Sequence, residues 1–163
     1  MKYNEMKLFN DTVKSLYDKE NLIGYNKGNV IIGQNNKVIS PNTHSLYYIF
    51  TDVLRQCLSG LNPERRFDTD KICDFSQLDL YDKVPLQFDS LKPTDTKSIL
   101  VKFKTPNDEV VVIDEKTVKP YFGNSYITDL KFYGSKDRTN KSPVYVVISE
   151  TNTCVAMILP VVF

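Results

Sequence analysis

Tryptophan is absent from this chain, histidine occurs once, and no run approaches the ~20 apolar residues of a membrane-crossing helix. Each shortage excludes something. With His44 alone there is no His–His metal pair, and a serine–histidine–aspartate arrangement would hang on one ring. Following Pro41-Asn42-Thr43, that ring reads as a surface or capping residue. Cys57, Cys73 and Cys154 are odd in number and widely spaced, so they form neither a disulfide framework nor a zinc site. They read as reduced thiols, which places the protein in a cytoplasm. Glycine is scarce, and Gly24-x-x-x-Gly28 lacks the Lys-Ser/Thr of a phosphate loop. The opening MKYNEMKLFNDT has no apolar core of a signal peptide. Charge of neither sign dominates: 21 Lys+Arg against 20 Asp+Glu leaves +1, so only local patches could draw a polyanion.

What is present is an ordinary globular composition, rich in tyrosine and phenylalanine. Residues 5–20 form an amphipathic helix by pattern, with Leu8, Phe9, Thr12, Val13 and Leu16 on one side and Lys7, Asp11, Lys14 and Asp18 on the other. Residues 29–33 and 37–40 read as strands around Asn35-Asn36. From Leu46 to Leu61 the apolar spacing fits a helix capped near Asn42 or Thr43 and stopped at Gly60. The β-rich LYYIF reads instead as a strand leading into a shorter helix from Asp52. Residues 62–97, rich in Asp, Pro and Lys, read as a long irregular connection with a short helix or strand inside it. Then β character prevails: strands at 98–104, 109–114, 126–135, 143–150 and 153–163, with a short helix or helical turn at 115–124. The expected fold is α+β, an antiparallel sheet with two or three helices on one face. It is a single domain, 1–163, with an irregular insertion at about 52–97.

Little in this pattern carries covalent chemistry. Asp68, Asp70 and Asp74, with Asp79 and Asp82, form the one carboxylate cluster, of the kind a magnesium-dependent nuclease spaces along its chain. No glycine lets the loop turn around an ion, and Arg65, Arg66 and Lys71 sit among the acids, so the segment reads as a solvated loop. The expectation is a protein that is not an enzyme and needs no metal or cofactor. Among the bases, Lys7, Lys14, Lys116 and Lys119 all fall on helical segments. If those segments share a face, they offer sequence-blind attraction to phosphates.

The carboxy-terminal order is specific. Val110-Val111-Val112-Ile113 runs into a short helix, Glu115 to Phe122, followed by three strands ending in Met157-Ile158-Leu159-Pro160-Val161-Val162. This order resembles the second half of a domain of the DNA sliding clamps. The opening MKLFNDTVKSLYDKENL and GNVIIGQNNKVIS are similar to that family's first helix and hairpin. The resemblance covers about residues 5–50 and 98–163. It implies a non-catalytic, DNA-tethering processivity factor of replication or late transcription, of phage or bacterial type, working in the (host) cytoplasm as a homo-oligomer. Double-stranded DNA would then lie near Lys7, Lys14, Lys116 and Lys119, and a polymerase or other DNA-acting protein near Ile158, Pro160 and Phe163. The family's chains hold two or three such domains, whereas 163 residues hold one. The alternative is a small viral-type protein that binds and inhibits a host or defence protein, with 62–97 as its contact surface.

Overall fold

The computed structural model describes residues 2–17, 31–33, 36–41, 44–61, 66–67, 80–136 and 142–161. The chain is α+β, with short helices and strands that pair antiparallel except for one two-residue parallel pair. It divides into two compact units, Asn4–Asp74 and Met1–Tyr3 with Phe75–Phe163.

In the first unit, α1 (Glu5–Tyr17) starts where the Asn4 side chain accepts the Lys7 N–H at 3.1 Å, satisfying one of the orphan donors of a first turn. Leu8 and Thr12, four residues apart, are fully buried, and the Thr12 hydroxyl returns to the Leu8 carbonyl at 2.8 Å. β1 (Ile31–Gly33) and β2 (Val38–Ser40) pair antiparallel, with Asn36 at φ 59° in the connecting turn. The long helix expected over 46–61 does not form. SLYY pairs with β2 as β3 (Ser45–Tyr48), and α2 (Asp52–Ser59) starts afresh. Backbone pairing of Tyr47 and Tyr48 with Ile39 and Val38 wins over helical periodicity, because aromatic side chains fit a half-buried pleat. Glu5 secures the junction. Its carboxylate accepts the Phe50 N–H at 2.5 Å and the Thr51 hydroxyl at 2.8 Å. The notional caps Asn42 and Thr43 lie outside the described residues; the cap is Thr51, and the helix stops at Gly60 as expected. β4 (Arg66–Phe67) runs parallel to β1.

The second unit holds the larger core. A helical turn, Leu80–Asp82, leads into β5 (Lys83–Pro93), then β6 (Ile99–Lys104) and β7 (Val110–Asp114). Asp114 caps the next turn by accepting the Lys116 N–H at 3.0 Å. The short helix or helical turn expected over 115–124 takes the form of a 3-10 turn (Glu115–Thr117) and a single α-turn, α3 (Lys119–Phe122). Gly123, at φ 89°, closes it in a conformation that suits glycine. The strand expected from Tyr126 begins later, because Tyr126–Asp129 is one helical turn, α4, before β8 (Leu130–Ser135). β9 (Val144–Ile148) and β10 (Thr153–Ile158) complete the unit.

Within this unit the strand order is β10-β9-β8-β5-β6-β7. Beyond β10, the Val161 N–H donates to the Val112 carbonyl at 2.8 Å, so the end of the row returns to its other end. Consecutive buried residues on β7 (Val111, Val112, Ile113) and β9 (Val144 to Val147) mean that both faces are covered there. The opposite holds for β5. This eleven-residue strand lies where a long connection with at most a short helix or strand was expected. Its first half pairs only with β8 (Lys83↔Ser135 to Leu86↔Phe132) and its second half only with β6 (Gln87↔Lys104 to Pro93↔Ile99). One-sided pairing is what allows Pro85 and Pro93 in a strand.

Two measurements check this core. Ile158 is fully buried, so Ile158→Ala should cost about 2–5 kcal/mol in urea unfolding, against under about 0.5 kcal/mol for a surface site. Tyr126, 2% exposed, donates its hydroxyl to Glu115 Oε2 at 2.7 Å. Burial first, then that hydrogen bond and the Glu115 charge, hold its phenol well above the usual range. The unfolded phenol loses its proton near pH 10 while the folded one keeps it, so this stability is present below about pH 10 and falls as pH rises further. Tyr126→Phe should flatten part of that alkaline slope; Tyr47, also raised by burial, retains the rest.

Candidate functional site

Where β5 changes partners, a fork opens. β8 and β5 are paired up to Leu86↔Phe132, but β8 starts two residues earlier, at Leu130, on a line that has left β5. A cavity of about 200 Å³ fills the angle. Its walls are Leu86 and Phe88 of β5, Phe103 of β6, Leu130 and Phe132 of β8, and Ile127 of α4. The floor is aromatic: Phe103 and Phe132 have ring centroids 4.6 Å apart, and Phe88 meets Phe103 edge-on at 6.4 Å. Phe103 and Phe132 are buried, whereas Phe88 is 36% exposed and forms the rim.

The register explains why apolar residues continue along the strand beyond the fork. Phe88 pairs with Phe103 and Ser90 with Lys102, so Asp89 is an extra residue, a bulge. The bulge shifts the side-chain phase by one and puts Leu91, opposite Val101, on the same face as Phe88. Phe88 and Leu91 are both substantially exposed there, at 36% and 43%. The other face of the arm carries Lys92, Lys102 and Lys104, with Lys131 at the mouth of the fork. Lys104 reaches the Asp89 carboxylate at 3.9 Å. Among the described residues, no carboxylate lies within salt-bridge distance of Lys92, Lys102 or Lys131. From Gln87 to Pro93 the edge of β5 away from β6 pairs with no described residue.

The residues singled out from sequence are spread over both units. Lys7 and Lys14 lie exposed on α1 in the first unit; Lys116 and Lys119 lie exposed in the second. Lys7 is 3.5 Å from Asp11, an i,i+4 pair at the surface, and Lys119 is 3.8 Å from the carboxylate of Glu115, an i,i+4 pair whose acid is buried. Ile158 is buried in β10 and spent on packing, Pro160 is half-buried, Leu159 next to it is exposed, and Phe163 is outside the described residues. Cys57 is exposed and Cys154 buried, both as free thiols; Cys73 is not described. Asp68, Asp70, Asp74 and Asp79 also fall outside, and the described residues hold no group of three metal-ligating side chains. No helix among the described residues is long and apolar enough to cross a membrane. Arg55 is engaged: Nε donates to the Ile49 carbonyl at 2.6 Å, and the guanidinium lies 5.3 Å from the Tyr48 ring centre.

The fork escaped the sequence reading because its aromatics come from three strands with no common spacing. Floor and rim should separate on mutation. Phe103→Ala should destabilise by about 3–5 kcal/mol in urea unfolding, and Phe88→Ala by about a third to a half of that. Equal losses would mean that Phe88 is as enclosed as Phe103. Compared with known proteins, the chain matches no family model, no curated protein and no solved structure.

Proposed function

We propose that this chain is a non-catalytic tethering protein of sliding-clamp type, which holds a protein partner on double-stranded DNA. The observation that carries the reading is an element order that occurs in both units. In the first, α1 is followed by the antiparallel meander β1-β2-β3. In the second, the helical turns of 115–129 are followed by the antiparallel meander β8-β9-β10. A helix followed by a meander, twice per domain, is what the sequence resemblance leads one to expect. Lys7, Lys14, Lys116 and Lys119 all stand exposed on the helical segments. The pairing of Lys7 with Asp11 does not disqualify it, since an exposed pair contributes at most ~1 kcal/mol and yields readily to a phosphate, whereas Lys119 is held by the buried Glu115.

On this reading, association with a labelled 30-base-pair duplex is independent of sequence and steeply salt-dependent. Four phosphate contacts give a log–log slope of roughly −3.6 and about a hundredfold loss between 50 and 200 mM salt. Replacing the four lysines by glutamine flattens the slope, and the mass in solution is at least twice the 18.8 kDa of the chain. A monomer that ignores DNA at low salt contradicts the tether. A second reading, a small protein that captures and inhibits another protein, is favoured by the open edge of β5, which suits a protein partner and has no use for a duplex.

A further inference from the structure

We propose that residues 87–92 of β5 accept an extended peptide as an added strand, anchored by one bulky apolar side chain in the fork and acidic on its outward face. This deepens the partner-capturing reading, on which it rests, and is independent of whether the chain meets DNA.

Three observations select this occupant. First, β8 pairs with β5 only as far as Leu86, and from Gln87 on no described residue pairs with that edge. Alternate N–H and C=O groups along such an edge face outward, and their natural complement is another strand. Second, the lane is lined for alternating side chains. The inward face offers the fork, then Leu91; about 200 Å³ holds one leucine- or phenylalanine-sized group with room to spare. A strand lying there would cover Phe88 and Leu91. Third, the outward face is basic. Lys92, Lys102 and Lys131 have no acid at salt-bridge distance among the described residues, and the nearby Asp89 is already matched by Lys104. A guest with acids at its outward positions completes both faces, whereas a basic guest would be repelled.

The same features argue against a second copy of the chain. The bulge at Asp89 and the missing N–H of Pro93 are devices that discourage long edge-to-edge pairing. Two copies would also bring their lysine-rich outer faces together. They leave a short, specific run from Gln87 to Lys92.

The test uses the full chain, labelled with ¹⁵N, and a capped eight-residue peptide in which glutamate and leucine or valine alternate. The expected result is micromolar to submillimolar binding, with amide shifts concentrated at Gln87 to Lys92 and at Lys131. Exchanging the anchoring leucine for alanine should weaken binding roughly 10- to 100-fold. Lysine in place of glutamate should weaken it at least about tenfold, and Lys131→Glu should narrow that preference, with Lys92 and Lys102 retaining part of it. N-methylating the peptide at alternate residues separates a strand from a merely greasy ligand: one phase abolishes binding and the other leaves it intact. Phe88→Ala, a rim change that keeps the floor, should weaken binding while the spectrum stays dispersed. Shifts elsewhere on the chain, equal binding of both N-methylated phases, equal binding of the lysine peptide, or shifts at 87–92 that grow with protein concentration in the absence of peptide would each overturn the proposal. DNA takes no part in the assay, so its outcome and that of the tether reading are separable.

Discussion

One strand with two half-partners governs the larger unit. β5 gives its first four residues to β8 and its remaining seven to β6, and at no point is it paired on both sides by described residues. A strand paired on one side has half of its backbone groups facing outward, and those groups must find water or a guest. The handover at Leu86–Gln87 is therefore a joint between two stretches of the sheet, and there the core comes to the surface as a fork. The bulge at Asp89 belongs to the same device. It keeps Phe88 and Leu91 on one face after the strand has left β8.

The rest of the unit is built to leave that strand alone. β7 and β9 are buried on both faces, and the segment after β10 returns to β7 through the Val161–Val112 bond. The Tyr126–Glu115 bond ties the helical turns that precede β8 to each other. Cohesion thus comes from apolar burial and from one buried charge-assisted hydrogen bond, worth about 1.5–3 kcal/mol, and not from the exposed half of β5. An element can be open to a partner only when stability is supplied elsewhere.

How much of this was legible follows the same logic. α1, β6, β7 and β9 could be read because each has an apolar pattern at one period, 3.6 or the continuous run of a doubly covered strand. LYYIF could not be settled, since Leu46, Ile49 and Phe50 satisfy a helical stripe as well as a strand; pairing with β2 decided it. β5 was hidden by Pro85, Pro93 and its charges, which count against a strand until one knows that each half is single-sided. Its signal was present all the same. Val84, Leu86 and Phe88 alternate with period two, and the slip to Leu91 marks the bulge. The single turns of α3 and α4 were blurred into a longer helix and an earlier strand, since a four-residue helix has no period to detect. The lysines can be placed on helical segments by pattern, and Asp11 beside Lys7 is visible in the same spacing, but the burial of Glu115 beside Lys119 is set by tertiary packing.

The central claim is that the second half of β5 is a real strand with a vacant side. Amide hydrogen exchange of the chain alone tests it residue by residue. The account predicts that between Gln87 and Lys92 protected amides facing β6 alternate with amides that exchange nearly as fast as an open loop, while β7 and β9 are protected throughout. Uniform slow exchange along the whole of β5 would mean that the lane is already filled, and the account would fail with it.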